Sequence, residues 1–186
     1  IAGDIAKSRR EIGRLKRDED RLARLVDRIA KALAAPPVPA PGKRVERVPD
    51  ASVSSQPFER LRGRLQLPVR GELTNQYGTA REEGATWKGL FIRSVSGETI
   101  HAVADGRVVY ADWLRGFGNL LILDHGKGYM SLYANNEALL SQVGEKVRGG
   151  DSIARVGASG GQQESGLYFE LRRDGKPFDP LKWVAP

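Results

Sequence analysis

Apolar residues recur at the start of the chain as Ile5, Ile12, Leu15, Leu22, Val26, Ile29 and Leu33, stepping by seven, three, seven, four, three and four. Charged side chains fill the positions between them, and Ser8 and Glu19 interrupt the seam. Such spacing predicts one helix over Ile1 to Ala35, with a stripe too narrow to be stable without a partner surface. That surface is either the globular part of the same chain or the second strand of a coiled coil, and the heptad steps favour the end of a coiled coil. Pro36-Pro37-Val38-Pro39-Ala40-Pro41-Gly42 then stops the helix and predicts a semi-rigid linker, which continues through the polar, aperiodic stretch Lys43 to Gln56. Phe58, Leu61 and Leu65 return to helical spacing, as a short amphipathic segment packing where a globular domain begins.

From Pro68 onward the period changes from helical to alternating. Thr99–Ala104 and Arg107–Ala111 flank Asp105-Gly106, a two-residue hairpin signal. Asn119–Asp124 and Tyr129–Ala134 flank His125-Gly126-Lys127-Gly128, and Leu120-Leu121-Ile122-Leu123 is apolar on both faces, the mark of a central strand. Ser152–Val156 and Leu167–Arg173 follow, Asp174-Gly175 turns the chain back, and Glu137–Leu140 predicts one helical turn. The expected organisation is a helix over 1–35, a linker over 36–57 and a mostly antiparallel β domain of about 120 residues over 58–186.

Composition narrows the function classes. A net charge of +7 suits an acidic partner or surface, but the aromatics are not interleaved with the basic residues in a nucleic-acid pattern. The absence of cysteine excludes a disulfide scaffold and thiolate metal sites. No apolar run reaches the ~20 residues that a membrane span requires. The chain opens within a helical pattern and shows no signal peptide, so a fragment of a longer protein is expected.

Three local patterns invite a catalytic reading. Gly157-Ala158-Ser159-Gly160-Gly161 matches a nucleophile elbow, but Gly160-Gly161-Gln162-Gln163 is a poor helix start, so a loop is expected. His101 and Asp105 have the spacing of a metal-ligand pair. However, Asp105 serves the turn, and only His125 remains as a nitrogen donor where catalytic zinc needs three protein ligands. His125 itself is expected to fix a backbone carbonyl rather than act as a base. In Gly166-Leu167-Tyr168-Phe169-Glu170-Leu171-Arg172, alternation puts Leu167, Phe169 and Leu171 on one face and Tyr168, Glu170 and Arg172 on the other.

The run from about Pro68 to Trp183 resembles the LytM, or lysostaphin-type, zinc endopeptidase domain. The resemblance rests on Trp87-Lys88-Gly89-Leu90-Phe91-Ile92, Ala102-Val103-Ala104-Asp105-Gly106-Arg107-Val108-Val109, Asp124-His125-Gly126-Lys127-Gly128-Tyr129, Leu132-Tyr133-Ala134 and Phe169-Glu170-Leu171-Arg172. It implies an antiparallel LytM β domain of the duplicated-hybrid type. Active members bind zinc through a His-x-x-x-Asp pair and the second histidine of a His-x-His. Matched by motif, those ligand positions here are Trp87, Phe91 and Tyr168, and the two water-assisting positions are Asn135 and Gly166. This departs from the family's chemistry, so no catalytic residue, metal or cofactor is expected.

With the helix and Pro-rich linker in front, the chain resembles the EnvC-type division factors. That resemblance implies a periplasmic, septal, non-catalytic activator of N-acetylmuramoyl-L-alanine amidases, acting in daughter-cell separation. Its coiled coil would dock on the FtsE–FtsX complex, peptidoglycan is a further candidate partner, and nucleic acid is not. In related activators a segment of the same protein covers the groove. The expected partner-binding groove comprises Trp87, Lys88, Phe91, Phe117, Tyr133, Asn135, Tyr168 and Arg172, with Lys88 and Arg172 on its rim for an acidic amphipathic helix. The alternatives are a passive peptidoglycan-binding module and, behind it, a zinc-dependent cell-wall endopeptidase using His101 and His125.

Overall fold

The computed structural model describes residues 2–34, 56–81 and 84–185. The predicted linker, up to residue 55, lies outside the described residues. The helical seam produces α1, Ala2–Ala34. A 3-10 turn, Phe58–Leu61, precedes β1 (Glu72–Asn75), β2 (Leu90–Arg93), β3 (Thr99–His101), β4 (Gly106–Leu114), β5 (Gly118–Gly126) and β6 (Tyr129–Leu139). Then come β7 (Lys146–Val147), β8 (Ser152–Val156), β9 (Gly166–Arg173), β10 (Lys176–Phe178) and a last 3-10 turn, Pro180–Lys182.

Among the described residues the strands join antiparallel in the order β1-β2-β9-β6-β5-β4-β7, with β10 on β9 and β8 bridging β6 and β3. The fold is mostly antiparallel β with an N-terminal helix, as the sequence predicts. Leu120 to Leu123 form the interior of β5, between β4 and β6, and none of the four is exposed.

The pleat divides the side chains into two layers. Leu90, Ile92, Leu121, Leu123, Tyr133, Leu167, Phe169 and Leu171 face a core closed by Phe58, Leu65 and Trp183. Phe58 stacks on Trp183 at 5.1 Å and on His125 at 4.6 Å between ring centroids, so the amphipathic segment packs against the sheet as predicted. Phe91, Leu120, Ile122, Met130, Leu132, Ala134 and Tyr168 face the other way, where Leu22, Leu25 and Val26 of α1 cover them. The apolar faces of β5 therefore have different owners. The helical seam is used only in part: Leu15, Leu22 and Val26 are buried, while Ile5 and Leu33 towards its ends are exposed.

Two local expectations are corrected. Asp105-Gly106 does not join a hairpin, because β3 pairs with β8 whereas β4 pairs with β5 and β7. The Asp105 carboxylate instead accepts the Gly149 N–H at 2.8 Å, and its carbonyl oxygen accepts from His125 Nδ1 at 2.7 Å. Glu137–Leu140 is not a helical turn. β6 runs on to Leu139 and pairs with β8 from Asn136 onward, across a register shift between Asn136 and Ala138.

Candidate functional site

Strand register sets the site beneath α1. Phe91 of β2 lies opposite Tyr168 of β9, which lies opposite Ala134 of β6. Two residues along, Glu170 lies opposite Leu132, and Arg172 opposite Met130. The Tyr168, Glu170 and Arg172 face predicted from alternation is present.

Aromatic rings close around Tyr168. Trp87, just before β2, has its ring 6.1 Å from Tyr168 and 6.5 Å from Phe91, and Phe117, in the loop after β4, is 6.0 Å from Tyr168. Pairs at such separations contribute about 0.5–1.5 kcal/mol each beyond burial. The Arg81 guanidinium sits 4.1 Å over the Trp87 ring. Asn135 lies in the left-handed region, at φ 67, and is buried. Its Nδ2 donates to the Phe117 carbonyl at 3.1 Å and the Ser159 carbonyl at 3.0 Å, which fixes both loops over the sheet.

Tyr168, Glu170 and Arg172 form a buried chain. The Tyr168 hydroxyl donates to Glu170 Oε1, Arg172 Nε donates to Glu170 Oε2 at 2.7 Å, and Arg172 Nη1 donates to the Gly175 carbonyl at 3.0 Å. Burial, reinforced by the Glu170 carboxylate, pushes the Tyr168 phenol well above its ordinary value, so it stays protonated. Arg172 is only 5% exposed, so its guanidinium is built into the structure rather than held at a free rim.

Trp87, Phe91, Phe117, Asn135 and Tyr168 line one small cavity, together with Arg81 and Gly116. Arg172 lines the adjoining space under α1. Two expected groove residues do not join them. Tyr133 points into the opposite core, where its hydroxyl accepts from the Val103 N–H at 3.1 Å, because it sits one pleat out of phase with Leu132 and Ala134. Lys88 is outside the lining of both cavities, with Nζ donating to Thr86 Oγ1 at 3.4 Å. Sequence reasoning missed Arg81 and Gly116. A Cβ on Gly116 would stand 2.4 Å from the Asp18 carboxylate carbon, so a glycine there admits α1. The apolar outer face of β5, Leu120 and Ile122, was the signal that something covers it.

Zinc does not fit this donor set. Indole N–H only donates, phenyl has no lone pair, and the Tyr168 phenol is held neutral by its surroundings. No group of three or more His, Cys, Asp or Glu suited to a metal occurs among the described residues. The other catalytic patterns have structural engagements. Ser159 Oγ donates to the Asn136 carbonyl at 2.6 Å and accepts the Asn119 N–H at 3.1 Å. His101 Nδ1 lies 2.9 Å from the Gly150 carbonyl. With His125 Nδ1 donating to the Asp105 carbonyl, its Nε2 accepts from Ser131 Oγ at 2.7 Å, and Ser131 Oγ in turn lies 2.9 Å from the Tyr133 hydroxyl. Burial lowers the His125 pKa and keeps the ring neutral.

The profile of "Peptidase family M23" matches residues 85–180. The chain belongs to peptidase family M23. This M23 chain is similar to the murein hydrolase activator EnvC of Escherichia coli K12, 46% identical over 124 residues, or 67% of this chain and 30% of that one. It is also similar to the murein hydrolase activator NlpD of the same organism, 40% identical over 118 residues, or 63% and 30%. It thus spans about 30% of the length of each of these relatives. Among solved structures, a putative M23 peptidase from Pseudomonas aeruginosa shares the fold at TM-score 0.58 and 22% identity, over 72% of this chain and 53% of that one. The catalytic domain of lysostaphin from Staphylococcus simulans shares it at 0.56 and 23%, over 60% and 90%.

Proposed function

We propose that this M23 chain is a non-catalytic activator of N-acetylmuramoyl-L-alanine amidases, acting in the periplasm during cell division. The observation that carries the reading is the aromatic groove around Trp87, Phe91, Phe117 and Tyr168, which already receives a helix of its own chain. Leu22, Leu25 and Val26 lay an apolar face against it, the way a groove takes an amphipathic helix through residues three and four apart. A regulatory helix that blocks an amidase's active site would use the same surface, and its capture would shift the amidase to its open state. The names of the curated relatives, murein hydrolase activators, support the same class.

In this reading α1 is the groove's cover. Release comes from whatever pulls the helix away, and the FtsE–FtsX complex acting on a coiled coil that continues α1 fits that role. Peptidoglycan binding by the groove is the second candidate, and the net charge of +7 favours an acidic wall polymer.

The test is dye release from labelled sacculi by an autoinhibited cognate amidase, with the 1–186 chain added. Wild type is expected to stimulate weakly, Leu22→Asp/Val26→Asp strongly, and the same variant carrying Tyr168→Ala weakly again. Lysis by the chain without amidase would overturn the reading. So would the absence of stimulation by the opened variant.

A further inference from the structure

Beside the apolar contact, α1 and the sheet enclose a second, polar cleft of about 350 Å³. Arg14, Arg17 and Arg21 line it from the helix, and Arg81 and Arg115 from the loops opposite; the carboxylate in its wall is Asp18. That carboxylate is engaged, 2.9 Å from Arg21 Nη1, and the same Nη1 donates to the Arg115 carbonyl at 3.1 Å. Among the described residues, Arg14, Arg17, Arg81 and Arg115 have no carboxylate within 4.0 Å. The docked helix therefore brings five arginine residues to the walls of one cleft with one paired carboxylate.

Like charges around one cleft repel, and docking brings the arginines of α1 to those of the loops. Hydrophobic burial of Leu22, Leu25 and Val26 offsets that repulsion, and among the described residues Asp18 is the one carboxylate in the wall of the cleft. Guanidinium forks pair with phosphate oxygens in a bidentate manner, and a dianion uses more than one fork. We propose that this cleft binds a phosphate-type dianion, and that its occupation holds α1 down on the groove. Lifting the helix separates the three arginines of α1 from the two of the loops. The anion thus binds the docked state more tightly and shifts the population towards it. The regulatory half rests on α1 being the groove's cover; the binding half does not. A soluble phosphate monoester and a lipid headgroup ending in a phosphate monoester offer the same chemistry.

The experiment uses the 1–186 chain. With no native cysteine, Asp20→Cys/Val143→Cys at two exposed positions accepts a unique pair of spin labels. Sodium pyrophosphate, titrated at constant ionic strength, is expected to raise the docked fraction in the distance distribution and the melting temperature together. Arg17→Ala/Arg115→Ala is expected to weaken the apparent affinity at least tenfold, and Arg14→Gln, a milder exposed change, severalfold. Phosphatidic acid vesicles against phosphatidylcholine vesicles separate the sources: a response to the former without one to pyrophosphate assigns the lipid headgroup. No response to either probe, an equal response to sodium chloride, or one that survives Arg17→Ala/Arg115→Ala overturns the site. Calorimetric binding without a change in distances overturns the locking. Neither readout involves an amidase, so failure here is distinct from failure of the activator reading.

Discussion

Phe91 and Gly166 occupy one another's space. A Cβ on Gly166 would lie 2.6 Å from the Phe91 ring and 2.6 Å from the Ile92 carbonyl oxygen. The phenyl group at one ligand position thus requires the missing side chain at one assisting position. Gly166→Ala is expected to cost on the order of 1–3 kcal/mol by overpacking. Phe91→Ala should recover only part of that in a double-mutant cycle by urea denaturation, because the carbonyl contact remains. Arg172→Ala is expected to cost about 3–5 kcal/mol in the same measurement, since it leaves the buried Glu170 carboxylate uncompensated. The sequence reading put Arg172 on a groove rim, and alternation did place it on the right face. It could not reveal that the guanidinium would be buried against Glu170 and the Gly175 carbonyl. His125 gives a pH signature. Its folded pKa lies below the ordinary value of 6.5, so the unfolded chain binds the extra proton as pH falls. The stability that the neutral ring contributes is present above 6.5 and declines below it, at most about 1.4 kcal/mol per pH unit for one proton. Thermal midpoints at pH 7.5 and 5.5 should show the fall, and His125→Asn should flatten it.

At the level of elements, strongly periodic segments were legible and local turn signals less so. The helix, the paired strands β5 and β6, and the β9–β10 turn follow directly from residue period and from Asp174-Gly175. Asp105-Gly106 carries equally good local chemistry, yet β3 finds its hydrogen bonds on β8, because pairing across the fold outweighs a turn preference. Tyr133 shows the converse lesson, in that a motif position names a residue while the pleat decides which face it serves. Periodicity also showed that α1 needed a partner and favoured a coiled-coil strand, whereas the chain's own sheet takes the middle of the seam. Full burial of a leucine or valine contributes about 1.5–3 kcal/mol, so Leu22 and Val26 dominate the attachment. Leu22→Asp/Val26→Asp should speed amide hydrogen exchange throughout α1 and around Phe117. It should leave β5, β6 and β9 protected. Loss of protection in those strands would mean the helix belongs to the core rather than covering it.

For the molecule as a whole, the groove has one occupant at a time in the proposed activator reading. If a fraction f of molecules has α1 lifted, a partner helix binds with its intrinsic dissociation constant divided by f. In the stimulation assay, the ratio of the opened variant to wild type at subsaturating concentration reads 1/f directly. An anion in the arginine cleft would lower f further, and charge-removing changes there would raise it. In that reading, aromatic side chains at the positions the family resemblance matches to metal ligands make the cleft suited to an apolar helix rather than an ion.

The close approach of α1 has a consequence for how the groove is probed. The helix ends at Ala34 and the first packing residue of the sheet domain is Phe58, so the two are joined within one chain. A covalent tether keeps its attached segment at an effective concentration set by the tether's length, up to on the order of millimolar. Any soluble competitor therefore faces a rival that dilution never removes. Raising competitor concentration is an inefficient way to occupy the groove; pulling on one end of α1 is an efficient one, because force acts on the tethered rival alone.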